Sequence, residues 1–165
     1  GVSKLAAETY MRAFCKKNKL NFKIIRYFNV YGQYQRKDFV IPKFIDLIKK
    51  NKPLKIYGSG KQIRSYCHVF DAAAATIKVL KKGKKNNIYN VGNNSEPISL
   101  KNLVNVLKKN TPKKINFSLV PFQKSDRSKE REIFFRIPNL DKIKSHTGYL
   151  PQISLERGLK NLLND

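Results

Sequence analysis

Phe22-Lys23-Ile24-Ile25-Arg26-Tyr27-Phe28-Asn29-Val30-Tyr31-Gly32 is the stretch on which the fold turns. It concentrates aromatic and β-branched residues between polar segments, which predicts a buried strand over 22–30. Tyr31-Gly32 then opens a loop. Just upstream, Ser3 to about Lys17 reads as a helix, with Ala7, Met11 and Phe14 on one stripe and Tyr10 beside it. Lys4 falls at the N-terminal end of that stripe. A lysine on an apolar face needs a partner or a job, or else must snorkel to water.

Downstream, helical and extended signals alternate. Ile41, Phe44, Ile45 and Ile48 share a helical face, with Pro42 tolerated in the first turn. Leu54 to Tyr57 is a short strand stopped by Gly58-Ser59-Gly60, and Arg64 to Val69 is extended. The next helix is expected to turn Ala72, Ala73, Thr76, Ile77 and Leu80 inward and to end near Gly83. Ile88 to Val91 is another short strand. Ser99 caps a helix carrying Leu100, Leu103, Val104 and Leu107. A strand is expected at 116–120, a polar loop at 121–132, and a short helix after Asn139. Ser154 caps a last helix with a Leu155, Leu159, Leu162 and Leu163 stripe. This alternation predicts an α/β or α+β architecture.

Bulk properties narrow the function. The 165 residues suffice for one domain with a core, and no run of about 18 apolar residues could span a membrane. The first residues have no apolar signal-peptide core, and a cytoplasmic protein is expected. Cys15 and Cys67 are too few for a disulfide framework. With His68 and His146 they show no ligand spacing, so no metal is assigned. Thirty-five Lys and Arg against 11 Asp and Glu give a formal net charge of +24. Such a charge suits a nucleic-acid binder. However, the lysines occur as scattered pairs near predicted helix ends, where the helix dipole favours them. No helix-turn-helix, zinc-finger or RNA-binding strand motif accompanies them. An anionic small substrate is the preferred partner.

Four segments carry a resemblance. Gly1-Val2-Ser3-Lys4-Leu5-Ala6-Ala7-Glu8 resembles the tail of a Tyr-x-x-x-Lys helix whose tyrosine would stand directly before Gly1. Arg26-Tyr27-Phe28-Asn29-Val30-Tyr31-Gly32 resembles an Arg-x-x-Asn-Val-Tyr-Gly strand end. The segment from Gly58-Ser59-Gly60 through Gln62, Arg64 and His68-Val69-Phe70-Asp71 is similar to Gly-x-Gly-x-Gln-x-Arg-Asp-(aromatic)-x-His-Val-x-Asp. Tyr89-Asn90-Val91-Gly92 matches a Tyr-Asn-Val-Gly strand. In that order they resemble the NAD-dependent epimerase/dehydratase family of extended short-chain dehydrogenases/reductases, most firmly over residues 1–92. Gln33 stands where that family commonly has Pro, Ser65 replaces an Asp, and Phe70 occupies a commonly acidic place.

The resemblance implies an α/β fold: the C-terminal part of a Rossmann-type domain plus a small α/β substrate-binding domain. Residues 1–35 would be the last helix and strand of the Rossmann domain. Residues 36–165 would be mainly the substrate-binding domain, with 64–92 returning toward the Rossmann sheet. It implies that Lys4 hydrogen-bonds the nicotinamide ribose of NAD and lowers the tyrosine pKa. Tyr27 and Phe28 would line the nicotinamide side. Asn29 and Arg64 would hold the diphosphate of a UDP-sugar or another nucleotide-sugar, and Val40, Ile41 and Phe44 would surround the base. Arg127 and Arg131 are candidates for a second phosphate-binding arginine, and His68 and Asp71 would be structural.

By spacing alone, Asn29 could simply close a turn, Arg64 could serve a surface salt bridge, and Val40, Ile41 and Phe44 could be ordinary core. The sequence contains no Gly-x-x-Gly-x-x-Gly turn. The cofactor-binding half is therefore expected to be absent, with the parent enzyme a homodimer and this piece inactive by itself. A non-catalytic nucleotide-diphosphate-binding module is the alternative.

Overall fold

Ile24 and Ile25 build the strand the sequence leads one to expect. β1 (Lys23–Tyr27) is half-buried rather than wholly buried, with Arg26 and Tyr27 exposed at its end. The structure, a computed structural model, describes residues 1–121, 123 and 133–164. β1 pairs in parallel with β6 (Asn87–Val91), Ile24 opposite Ile88 and Tyr27 opposite Val91. A parallel pair needs a long crossover, and here it carries six of the remaining elements.

Those elements are, in order, α1 (Val2–Lys17) before β1, then β2 (Val30–Tyr31), α2 (Val40–Lys49), β3 (Leu54–Tyr57), β4 (Ile63–Arg64), β5 (Cys67–His68) and α3 (Val69–Lys82). After β6 come β7 (Ile98–Ser99), α4 (Leu100–Lys109), β8 (Phe117–Val120), β9 (Phe135–Arg136), α5 (Asp141–Thr147) and α6 (Leu155–Asn164). β2 pairs with β5 and β3 with β8, both in parallel. β4 lies between β7 and β9. The expected caps are present: Ser99 Oγ accepts from the Asn102 N–H at 3.2 Å and Ser154 Oγ from the Arg157 N–H at 3.3 Å.

Apolar burial falls into two clusters. In one, Ile41, Phe44, Ile45 and Ile48 of α2 pack with Leu54 and Ile56 of β3 and with the apolar faces of α4 and α6. In the other, Ala72, Ala75 and Val79 of α3 pack with Tyr89 and Val91 of β6, Ile143 of α5 and Tyr149. The sequence reading of α3 is corrected here. Ile77 is 53% and Leu80 72% exposed, and Ala73 is exposed as well. Both sides of α3 are apolar, and the side with the smaller residues lies closest to β6. The stripe of α1 is likewise uncovered: Tyr10, Met11 and Phe14 are exposed and only Cys15 is buried.

Two carboxylates tie the C-terminal segment to the rest. Asp71 stands in the first turn of α3, but its oxygens accept the N–H groups of Gln152 and Ile153, each at 3.0 Å. Glu96 accepts the N–H of Leu155 at 2.9 Å. They seat α6 so that Gly158 presses on Tyr31 and His68, and a Cβ at Gly158 would fall on the Tyr31 hydroxyl. Gly158→Ala should therefore cost about 1–3 kcal/mol through overpacking. Thermal denaturation should show a drop of several degrees, and an unchanged midpoint would mean that α6 is not seated this closely.

Candidate functional site

The path of the chain at Asn29 shapes the site. Leaving β1, it turns through Asn29 at φ 42° before entering β2. Asparagine tolerates the left-handed region better than most residues. The Asn29 Nδ2 donates to the Ser65 carbonyl at 2.9 Å, and the Asn29 carbonyl accepts from the Cys67 N–H at 3.2 Å. These bonds clamp the end of β1 to the segment carrying Arg64 and Tyr66.

A cleft of about 490 Å³ opens at this clamp. Tyr27, Asn29, Val30 and Tyr31, at and just beyond the C-terminal end of β1, line it. Open α/β folds bind ligands outside the carboxyl ends of their strands. Gln35, Phe39, Val40 and Ile41 line it as well, together with Arg64, Tyr66 and Arg136. Among the described lining residues two are arginines and none is a carboxylate. Arg64 and Arg136 are register partners on the parallel strands β4 and β9. Arg64 Nη1 donates to the carbonyls of Ile63 at 2.9 Å and Phe134 at 3.4 Å, holding its guanidinium close to the strands. The Arg136 guanidinium lies 5.8 Å from the ring centroid of Phe28.

The lining phenols have restricted roles. Burial pushes Tyr31 well above the usual tyrosine range and Tyr66 up to about 12. Both stay neutral near pH 7 and serve as hydrogen-bonding groups. The Tyr27 hydroxyl lies 2.8 Å from Thr76 Oγ1, which itself lies 2.7 Å from the Ala72 carbonyl and donates to it. Thr76 has one proton to give, so Tyr27 is the donor in their bond.

Of the residues expected from the sequence, Tyr27, Asn29, Val40, Ile41 and Arg64 meet in this cleft. Phe28 does not line it but backs Arg136. Phe44 is 2% exposed and belongs to the core instead. Arg127 and Arg131 lie outside the described residues. Lys4 is exposed near the start of α1 and does not line the cleft. One turn further along α1, Glu8 forms an ion pair with Arg26 of β1, Nε to Oε1 2.8 Å. About 20 Å of helix rise separates Lys17 from Lys4, and about as much extended chain separates Lys23 from Asn29. Lys4 therefore stands toward the strand end where the cleft begins.

The sequence reading missed Gln35, Phe39, Tyr66 and Arg136 as lining residues. Tyr66 and Gln35 lie inside or next to recognised motifs, but nothing local marks Arg136. Among the described residues no three His, Cys, Asp or Glu side chains gather as a metal site. No helix there is long and apolar enough to cross a membrane.

A family model described as the NAD dependent epimerase/dehydratase family matches residues 1–92. The chain belongs to this family. It is 34% identical over 146 residues to the UDP-glucuronate 4-epimerase of Thermodesulfobacterium geofontis, covering 88% of this chain and 43% of that protein. It is 34% identical over 161 residues to the dTDP-D-glucose 4,6-dehydratase of Mus musculus, covering 96% of this chain and 44% of that protein. Among solved structures, the UDP-glucuronic acid 4-epimerase of Bacillus cereus, in complex with UDP-glucuronic acid and NAD, superposes with a TM-score of 0.88 at 27% identity. That match covers 99% of this chain and 51% of the other. The chain thus spans about half the length of the relatives it matches, and its α/β fold is that of the extended short-chain dehydrogenases/reductases.

Asn29→Gly separates the two roles of this residue. Glycine accepts the positive φ freely and loses only the Ser65 hydrogen bond, on the order of 1 kcal/mol. Circular dichroism should show a folded protein with a melting midpoint lowered by a few degrees. Collapse of the fold would show that the amide clamp, rather than the backbone turn, holds the site.

Proposed function

We propose that this chain is the substrate-binding portion of an NAD-dependent nucleotide-sugar epimerase or dehydratase, with epimerisation the favoured reaction. One observation carries the reading: a single cleft gathers Asn29, Arg64 and Arg136, with no carboxylate among its described lining residues. Such a lining attracts an anion, and a guanidinium binds two phosphate oxygens at once. In this reading the diphosphate lies between Asn29 and Arg64. The base lies toward Val40 and Ile41, and the sugar lies at the strand end near Tyr27. Membership of a family whose relatives act on UDP- and dTDP-sugars supports it.

The residues present suit one end of NAD. Lys4 has the position and charge to hydrogen-bond a ribose and to favour a neighbouring phenolate. The chain's glycine turn does not suit the phosphates: a Cβ at Gly60 would come within 2.9 Å of Lys101 and 3.1 Å of Ile56, so that loop is filled from within. When bound, NAD supplies reversible oxidation of the sugar ring. The residues of this chain bind the nucleotide-sugar, orient it and place a positive charge beside the acid/base group. That group, in this reading, is a tyrosine one turn before Lys4. The glycine-rich half that holds the dinucleotide, and the dimer partner, would act together with this chain. The exposed face of α1 is available to either.

Calorimetric titration with UDP tests the reading. We expect a dissociation constant on the order of 10–100 µM that weakens with salt. Arg64→Ala should weaken it about tenfold or more, the cost of one charge-assisted contact. No UDP binding, or binding indifferent to Arg64, would refute it. UDP binding without measurable NAD binding by the isolated chain is the expected companion result. If it persisted after addition of a glycine-rich half, a non-catalytic binding module would be favoured.

A further inference from the structure

Lysines that stand as scattered pairs in the sequence are gathered by the fold. α1 ends in Lys16-Lys17-Asn18-Lys19, and α3 runs out through Lys81-Lys82-Gly83-Lys84-Lys85. The first run leads into β1 and the second into β6. These strands are parallel, with Lys23 opposite Asn87, so both runs arrive at the same end of the pair. Hydrogen bonds tie them together there. The Asn86 N–H donates to the Phe22 carbonyl at 2.8 Å, and Asn86 Oδ1 accepts the Phe22 N–H at 3.1 Å. Lys23 Nζ donates to the Leu80 carbonyl at 2.7 Å. This end lies away from the cleft, since about 20 Å of extended chain separates Lys23 from Asn29.

Nothing in either run offsets the charge. The sequence has no Asp or Glu between Glu8 and Asp38, nor between Asp71 and Glu96. The lysines of both runs are exposed. Their asparagine amides serve the turns: Asn18 Nδ2 donates to the Phe14 carbonyl at 2.8 Å, and Asn86 Nδ2 to Asn21 Oδ1 at 3.4 Å. Asn87 Nδ2 donates to the Lys85 carbonyl at 2.9 Å. The lysines at the ends of α2 and α4 are placed differently, because Asp46 of α2 pairs with Lys37 and Lys50.

We infer that this face is a second anion-binding surface, separate from the cleft, and that its partner is the phosphate backbone of a nucleic acid, bound without regard to sequence. A chain of regularly spaced phosphates suits a row of point charges, each of which displaces a counterion. Base edges are read by directed donors such as arginine forks and free amides, and the runs hold no arginine and use their amides locally. Within each run asparagine or glycine, and no apolar side chain, separates the lysines. An interfacial lipid contact would set apolar side chains among the basic ones. The exposed Leu20 and Leu80 border the runs without interrupting them. The surface stands whether or not the cleft takes a nucleotide.

Fluorescence anisotropy of the full chain with a labelled single-stranded RNA of mixed sequence tests this. The logarithm of the association constant should fall against log salt with a slope of about −3 to −4, as roughly five phosphate contacts require. Lys16→Gln, Lys17→Gln, Lys84→Gln and Lys85→Gln together should weaken binding about tenfold or more at low salt and flatten the slope by about 3. Lys49→Gln, Lys52→Gln, Lys109→Gln and Lys114→Gln remove the same charge elsewhere and should change binding by less than about threefold. Melting midpoints of both variants should match the parent, since all the replaced lysines are exposed. Excess UDP should leave the RNA bound. Absence of RNA binding at low salt would overturn the inference, as would equal losses in the two variants, because net charge alone would then be the cause. Displacement of RNA by UDP would overturn it by placing the RNA in the cleft. Tighter binding to vesicles of equal parts phosphatidylcholine and phosphatidylglycerol than to RNA, lost in the first variant, would overturn it in favour of a lipid surface.

Discussion

The backbone turn at Asn29, with the hydrogen bonds on either side of it, is the constraint on which the site depends. Asn29 sits where β1 ends, in a backbone conformation that most residues avoid, and its side chain donates to the carbonyl of Ser65. Ser65 stands between Arg64 and Tyr66. The turn therefore sets the end of a strand beside residues from 35 or more positions later, so that two separate motifs line one cleft. The Cys67 N–H adds a second bond to the same turn and aligns β2 with β5. Without this clamp, Arg64 and Asn29 would still be present in the sequence, but nothing local would make them neighbours.

The rest of the fold holds the clamp from behind. The β5–α3 junction begins at His68, whose Nδ1 accepts the Phe70 N–H at 3.3 Å while its ring packs edge-on against Tyr31. Burial lowers the His68 pKa, so its neutral form, the one able to accept that bond, is favoured. Asp71 and Glu96 then draw the C-terminal segment across, and α6 closes against Tyr31 and His68 through Gly158. Support for the site thus comes from the far end of the chain. Separate elements are joined by polar contacts around the site, while Ser65 Oγ and Gln35 Oε1 are buried there without a hydrogen-bond partner among the described residues.

Much of this was legible in the sequence because it is encoded locally. The strand at 23–27, shorter than the expected 22–30 because the chain turns at Asn29, the serines at 99 and 154, and the Ile41, Phe44, Ile45 and Ile48 face each state their own structure. Asn29, Arg64 and Tyr27 were recognisable as candidates because they stand inside motifs of fixed spacing. What was not legible depends on partners far along the chain. α3 has two apolar sides, and only the approach of β6 and α5 selects Ala72, Ala75 and Val79 over Ala73, Ile77 and Leu80. Phe44 has the spacing of both a core residue and a pocket residue, and the neighbouring Leu54 and α4 decide for the core. Arg136 lies on a two-residue strand that exists only because β4, some 70 residues earlier, pairs with it. No local pattern announces such a residue.

The central claim is that the diphosphate of a nucleotide lies between Asn29 and Arg64. A crystal structure of the chain grown with UDP addresses it directly. The account predicts phosphate oxygens within hydrogen-bonding distance of the Arg64 guanidinium and the Asn29 side chain, with the ring of the base toward Val40 and Ile41. Density for the nucleotide on the lysine-rich helix ends, with the cleft holding only solvent, would contradict it.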